Sequence, residues 1–160
     1  VFLAGFLVDR LLAFGRLTLG LLVNAFRDLD AHAIPGAEGD PVRTAIERMA
    51  ERHVGALPVL EGGRLTGIVS ERDYARKVVL MGRNSLETSV AMIMSAPVIH
   101  VGPQNTVNDC MQLMTDKRIR HLPVVEDGKL IGVISIGDCV KAVIDEQKHE
   151  IEDLRRYIAG

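Results

Sequence analysis

The sequence predicts an α/β fold: two tandem copies of one strand–helix–strand–strand–helix unit related by pseudo-twofold symmetry, preceded by an apolar N-terminal helix. Three observations carry that prediction. Sliding the 160-residue chain by 65 positions lays residues 57–73 on 122–138 with nine of seventeen positions identical: Leu57/Leu122, Pro58/Pro123, Val59/Val124, Glu61/Glu126, Gly63/Gly128, Leu65/Leu130, Gly67/Gly132, Ser70/Ser135 and Asp73/Asp138. The match extends upstream through Val42/Val107 and Met49/Met114. Within each copy, apolar residues spaced for a helix give way to two short β-branched runs split by a glycine-containing turn. The first 26 residues, finally, are unusually apolar. Self-similarity at a fixed period means one supersecondary unit built twice, each burying a face that it cannot bury alone.

Taken in order, the opening "VFLAGFLVDRLLAFGRLTLGLLVNAF" reads as a helix whose polar face gathers Gly5, Asp9, Arg16, Gly20, Asn24 and Arg27. Asp9, Arg10 and Arg16 break it before eighteen clean apolar residues accumulate, which argues against a membrane span or signal peptide. So wide an apolar surface must be covered, by protein on the favoured reading and by a membrane contact of residues 1–26 on the other. The chain opens on Val1 rather than Met, as a piece of a longer chain would. A strand is expected at "APVIHVG" (96–102), and a weaker one at its counterpart "HAIPG" (32–36), where Pro35 lacks a backbone donor.

Residues 42–54 and 107–119 place Val42, Ala45, Ile46 and Met49, and Val107, Cys110, Met111 and Met114, at helical spacing. Each is followed by a predicted hairpin, 57–60 with 64–69 around "EGG" and 122–125 with 129–134 around "EDG". A second helix starts at Ser70 and again at Ser135. The latter carries Val143, Ile144, Gln147, Ile151, Leu154 and Ile158 as an apolar stripe to the end of the chain. The segments are therefore an N-terminal helix over 1–30, a first repeat over 31–85, a second over 86–148 and a helical extension over 149–160. A stripe that long needs a partner, and a homodimer built on the repeat helices is expected.

Composition narrows the function. A net charge of −2 leaves no electrostatic footprint for nucleic acid, and two cysteines, Cys110 and Cys139, make no disulfide framework, which suits a reduced, cytoplasmic setting. No nucleophile elbow, P-loop or dinucleotide fingerprint is present, and His32, His53, His100, His121 and His149 lack metal-ligand spacing. The chain reads as a non-enzyme without a metal.

The repeated Ser-x-x-Asp, Ser70 with Asp73 and Ser135 with Asp138, is by residue type a helix N-cap with a capping-box partner. A helix start also offers free N–H groups to an anion, so capping and ligand binding can share these residues. The Leu-Pro-Val run, the turn, the Gly-Ile-Val-Ser and Gly-Val-Ile-Ser ends and the terminal Asp resemble the CBS domain family. Two tandem copies resemble its Bateman module, as in small stand-alone bacterial signal-transduction proteins. That resemblance covers residues 40–145.

It implies clefts between the two repeats that take an adenosine ligand: AMP foremost, otherwise ATP, NAD(H) or S-adenosylmethionine. It implies that Asp138 and Asp73 hold the ribose hydroxyls and that Arg120 and His121, just before Leu122, face the phosphate, with Lys117 and Arg118 nearby. In the first repeat Gly55 and Ala56 stand at those two positions, while Arg72, Arg76 and Lys77 follow Ser70 where the second has Gly137, Lys141 and Ala142. Either those cations are an exposed helix face, or the clefts differ and one holds another nucleotide or none. The competing reading is a structural or membrane-linked interaction module with vestigial clefts.

Overall fold

The computed structural model describes residues 34–35 and 38–160; the helix expected over 1–30 lies outside the described residues. The elements are β1 (Ile34–Pro35), α1 (Val42–Arg52), β2 (Ala56–Glu61), β3 (Arg64–Ser70), α2 (Glu71–Tyr74) continued by a π turn (Ala75–Val79), a 3-10 turn (Val90–Met92), α3 (Val107–Lys117), β4 (His121–Glu126), β5 (Lys129–Ser135) and α4 (Ile136–Ala159). Strands order β1-β2-β3 in one sheet and β4-β5 in another.

The repeat is visible in the chemistry of each join. Helices α1 and α3 both end on a left-handed residue, His53 at φ 55° and Arg118 at φ 54°. Beyond it Val54 N–H reaches Met49 O at 3.0 Å and Ile119 N–H reaches Met114 O at 2.9 Å, six-residue closures that satisfy carbonyls the helix leaves open. Both hairpins turn through two residues with positive φ, Gly62 and Gly63 at 55° and 79°, Asp127 and Gly128 at 49° and 75°. That is the type I′ geometry whose twist matches the strands, and glycine with Asp tolerates it. In β2–β3 the register slips after Val59, which faces Gly67 while Leu60 faces Leu65; the extra residue, Thr66, donates its hydroxyl to Val59 O at 3.3 Å. Gly67 leaves room there for the Met94 side chain, which would have to move to admit a Cβ.

The helix starts differ. Thr106 caps α3 by a reciprocal box with Asp109, 2.9 and 3.1 Å, and the bond from the Thr106 N–H holds the Asp109 carboxyl below its usual range. Helix α1 begins at Pro41 without a side-chain cap. Its free donors go to the segment before the 3-10 turn, Val42 N–H to Thr88 O at 2.9 Å and Arg43 N–H to Ser85 O at 3.0 Å.

The described residues divide into two compact units. In the one holding 34–100 and 123–133, Val42, Ala45 and Met49 of α1 close on Leu57, Val59 and Val69 of the hairpin and on Val78, Val90 and Ile93. In the one holding 101–122 and 134–160, the buried residues are Val101, Val107, Cys110, Met114, Leu122, Ile134, Cys139 and Ala142. Five pairs of repeat positions, 42/107, 45/110, 49/114, 57/122 and 69/134, thus supply both cores.

One expectation is corrected. Among the described residues, 96–102 form no continuous strand, only a bridge position at Val101: Pro97 lacks a donor, the His100 ring pairs locally with Val98 O at 3.2 Å, and Ile99 stays 38% exposed. The preceding residue, Ser95, exchanges hydrogen bonds with Ile68 of β3 at 2.8 and 3.1 Å instead. The weaker counterpart does pair, Ile34 and Pro35 running parallel to Val59 and Leu60. The helix expected from Ser70 forms, and after one α turn it widens, with Leu80 N–H bonded to Ala75 O at 3.0 Å and Arg83 N–H to Val78 O at 2.9 Å, five residues back.

Candidate functional site

Each repeat presents a strand end, a capping serine and an aspartate three residues on, and the backbone fixes their placement. The first N–H of α4, Ile136, donates to the carbonyl of Arg120 at 2.9 Å; in the first repeat Glu71 N–H donates to Gly55 O at 3.1 Å. The residue just before β4 is thereby held beside the helix start that carries Ser135 and Asp138. That contact joins Arg120 to the Ser-x-x-Asp site across fifteen residues of sequence.

Both boxes close alike. The Asp138 Oδ2 accepts from the Ser135 N–H at 2.7 Å and from the Ser135 hydroxyl at 2.6 Å, while Asp138 N–H donates to Ser135 Oγ at 3.2 Å. Asp73 Oδ2 accepts from Ser70 N–H at 3.0 Å and from its hydroxyl at 2.6 Å, with the return bond at 3.2 Å. One carboxylate oxygen in each repeat is saturated by capping.

The second oxygen separates the repeats. Asp138 Oδ1 makes no hydrogen bond or ion pair with the described residues, so both of its lone pairs are open. Asp73 Oδ1 is paired with Lys77 Nζ at 2.8 Å, and the same ammonium donates to Ile93 O at 2.5 Å. Position 142, the register equivalent of Lys77, is a buried alanine.

The remaining predicted residues fall out as follows. The Arg120 side chain is exposed and makes no hydrogen bond or ion pair with the described residues. His121 opens β4 and is half-buried, Lys117 is the last residue of α3, and Arg118 is its left-handed cap. Arg72 is half-buried in α2 and Arg76 is exposed in the π turn. Lys77 is not part of an exposed cationic face. An Asp–Lys pair four apart on a helix is a legible signal for that ion pair; the bond to Ile93 O, sixteen residues on, is not.

Both thiols are held in the protonated form at neutral pH. Burial, reinforced by Cys139 and Asp109, pushes Cys110 up to about 12, and burial with the nearby Asp138 charge pushes Cys139 up to about 11. A protonated thiol is a poor nucleophile. No group of three His, Cys, Asp or Glu among the described residues is placed to hold a metal, and none of the described helices is long and apolar enough to cross a membrane.

Comparison with known proteins matches the arrangement twice. The CBS domain model fits residues 37–80 and 90–145. The mitochondrial CBS domain-containing protein CBSX3 of Arabidopsis thaliana is 46% identical over 126 residues, which are 76% of this chain and 61% of that protein; the chain thus spans less than two thirds of that relative. Among solved structures, a candidate signal-transduction protein with CBS domains from Burkholderia ambifaria is 55% identical, with a TM-score of 0.67 over 69% of this chain and 82% of the other. A hexameric CBS-CP12 protein from bloom-forming cyanobacteria is 30% identical, with a TM-score of 0.61 over 65% of this chain and 59% of the other.

Proposed function

The chain belongs to the CBS domain family, and from that premise we propose that it is a non-catalytic sensor that binds an adenosine-containing nucleotide, AMP foremost, at Asp138. CBS domains are regulatory, typically nucleotide-binding modules. The observation that carries the reading is the division of labour within one carboxylate. Capping consumes Oδ2 and leaves Oδ1, which offers two lone pairs and a negative charge to two vicinal hydroxyl donors. Ser135 acts as a positioning residue, holding the carboxylate at the helix start.

Arg120 supplies the complement. Its carbonyl is tied to the first residue of α4 and its guanidinium has no partner among the described residues, so it is available for a phosphate through two parallel N–H donors. His121, the next residue, is a second donor to that end of the ligand. AMP satisfies both ends; ATP, NAD(H) and S-adenosylmethionine carry the same ribose diol and differ in the group and charge beyond it. In the first repeat Ser70 and Asp73 repeat the capping geometry, with Arg72 and Arg76 close in sequence, but Lys77 takes the second Asp73 oxygen.

The readout lies on the same helix as the site. Val140, Ile144, Ile151 and Ile158 of α4 are 41%, 44%, 50% and 83% exposed and, with Gln147 and Leu154, fall at alternating spacings of four and three. A stripe of that period is a seam for another helix, and a second copy of the chain is the partner it suits. The same stripe is what favours the second reading, an interaction module whose nucleotide sites are idle.

Calorimetry with adenosine, AMP, ATP, NAD(H) and S-adenosylmethionine on the intact chain tests the proposal. Saturable heat with AMP is the expected result. Silence from all five ligands overturns the sensor reading in favour of the interaction module.

A further inference from the structure

The two Ser-x-x-Asp sites differ at one atom, and the difference is built from three residues of the first repeat. Lys77 Nζ lies 2.8 Å from Asp73 Oδ1 and is also bonded to the Ile93 carbonyl. The Asp73 side chain is 16% exposed and that of Lys77 39%, so the pair is partly shielded from solvent and from salt. Ile93 is fully buried, which anchors its carbonyl to the core. Lys77 itself is carried by the π turn Ala75–Val79, ahead of the buried Val78. The ammonium is therefore held between two fixed acceptors.

We propose that Lys77 is an internal lock on the first repeat: it occupies the Asp73 oxygen that would otherwise take ribose hydroxyls, so that Asp138 is the one working nucleotide site of the chain. The inference rests on the sensor reading above. Capping takes two of the four lone-pair positions of Asp73, Lys77 takes a third, and the cation cancels the charge that makes a carboxylate a strong acceptor. A vicinal diol needs two positions on a charged oxygen. In the second repeat Ala142 stands at the register of Lys77, and Lys141, the nearest cation in sequence, forms no ion pair with Asp138. The lock is absent there.

The test is Lys77→Met, which keeps the aliphatic stem and removes the ammonium. Calorimetry with AMP is run on the intact parent chain, Asp138→Ala, Lys77→Met and Lys77→Met/Asp73→Ala. The lock predicts one equivalent per chain in the parent, binding weakened at least tenfold in Asp138→Ala, two equivalents in Lys77→Met and a return to one in the double variant. Two equivalents in the parent, or one in Lys77→Met while the Asp138 site still binds, overturns it. Binding seen only in Lys77→Met and lost on adding Asp73→Ala supports the lock and overturns the Asp138 reading; no binding in any variant overturns both. A second readout needs no ligand: amine acylation followed by mass spectrometry should label Lys77 at least tenfold more slowly than the exposed Lys117, and Asp73→Asn should remove most of that protection. Equal labelling of Lys77 and Lys117 in the parent overturns the lock whatever the ligand data show.

Discussion

Replacing Asp138 with alanine separates the two tasks of that carboxylate, because the protein contains its own control. In both Asp138→Ala and Asp73→Ala the serine N–H and hydroxyl lose the acceptor that closes the capping box. A lost cap costs about 1 kcal/mol and a lost carboxylate at a helix N-terminus about 0.5 kcal/mol more. Both variants should therefore unfold at lower urea by a similar margin, roughly 1–2 kcal/mol, and remain folded, since domains of this size carry about 5–15 kcal/mol. Affinity should part them. A hydrogen bond to a charged acceptor contributes about 1.5–3 kcal/mol, so losing one weakens AMP by at least about tenfold and losing two by about a hundredfold or more. Calorimetry should show that loss in Asp138→Ala and an unchanged dissociation constant in Asp73→Ala. In the parent, 2′-deoxy-AMP should bind about tenfold more weakly than AMP, and in Asp138→Ala the two should converge. An unchanged AMP affinity in Asp138→Ala would reduce the residue to a helix cap.

Arg120→Ala should weaken AMP by about tenfold or more and adenosine hardly at all, because only the former brings an anion to the guanidinium; an equal loss for both ligands would place Arg120 elsewhere. The share of folding stability contributed by the two thiols should hold up to about pH 9 and then fall. The native thiols of Cys110 and Cys139 hold their protons to about 12 and 11, the unfolded thiols release theirs near 9, and the unfolded chain therefore binds fewer protons in that window. Each thiol should contribute a slope of roughly 1 kcal/mol per pH unit, and Cys139→Ala should remove its share in urea titrations between pH 8 and 11; an unchanged slope would refute the burial argument. Ile151→Lys, at a half-exposed position of the α4 stripe, should raise the dissociation constant of a homodimer by about 30-fold or more, from roughly 1 kcal/mol of apolar burial lost per chain plus the cost of burying an ammonium. Light scattering across a dilution series would show it, and a parent that is monomeric throughout would remove the dimer.

Much of the scaffold was legible because its signals are local and occur twice. The i, i+3, i+7 spacing of Val42, Ala45 and Met49 and of Val107, Cys110 and Met114 marks two helices that bury those residues. Gly62-Gly63 and Asp127-Gly128 announce type I′ hairpins, and Ser70 and Ser135 announce capped helices. Where the reading failed, the deciding contact was distant in sequence. The run at 96–102 has the composition of a strand, yet Ser95 takes the hydrogen bonds that Ile68 offers. Pro35 weakens its strand in isolation, but the parallel register against Val59 and Leu60 forms all the same. Of the candidate site, the residue types and their repetition were readable. That Asp73 is closed by a lysine also held by Ile93, while Asp138 is open, depends on contacts that spacing alone does not fix.

A crystal structure of the intact chain with AMP tests the account most directly. It should place the two ribose hydroxyls within hydrogen-bond distance of Asp138 Oδ1 and the phosphate on the Arg120 guanidinium, with Lys77 still seated between Asp73 and Ile93. Nucleotide bound at Asp73 with Asp138 empty, or bound without contact to either aspartate, would contradict it.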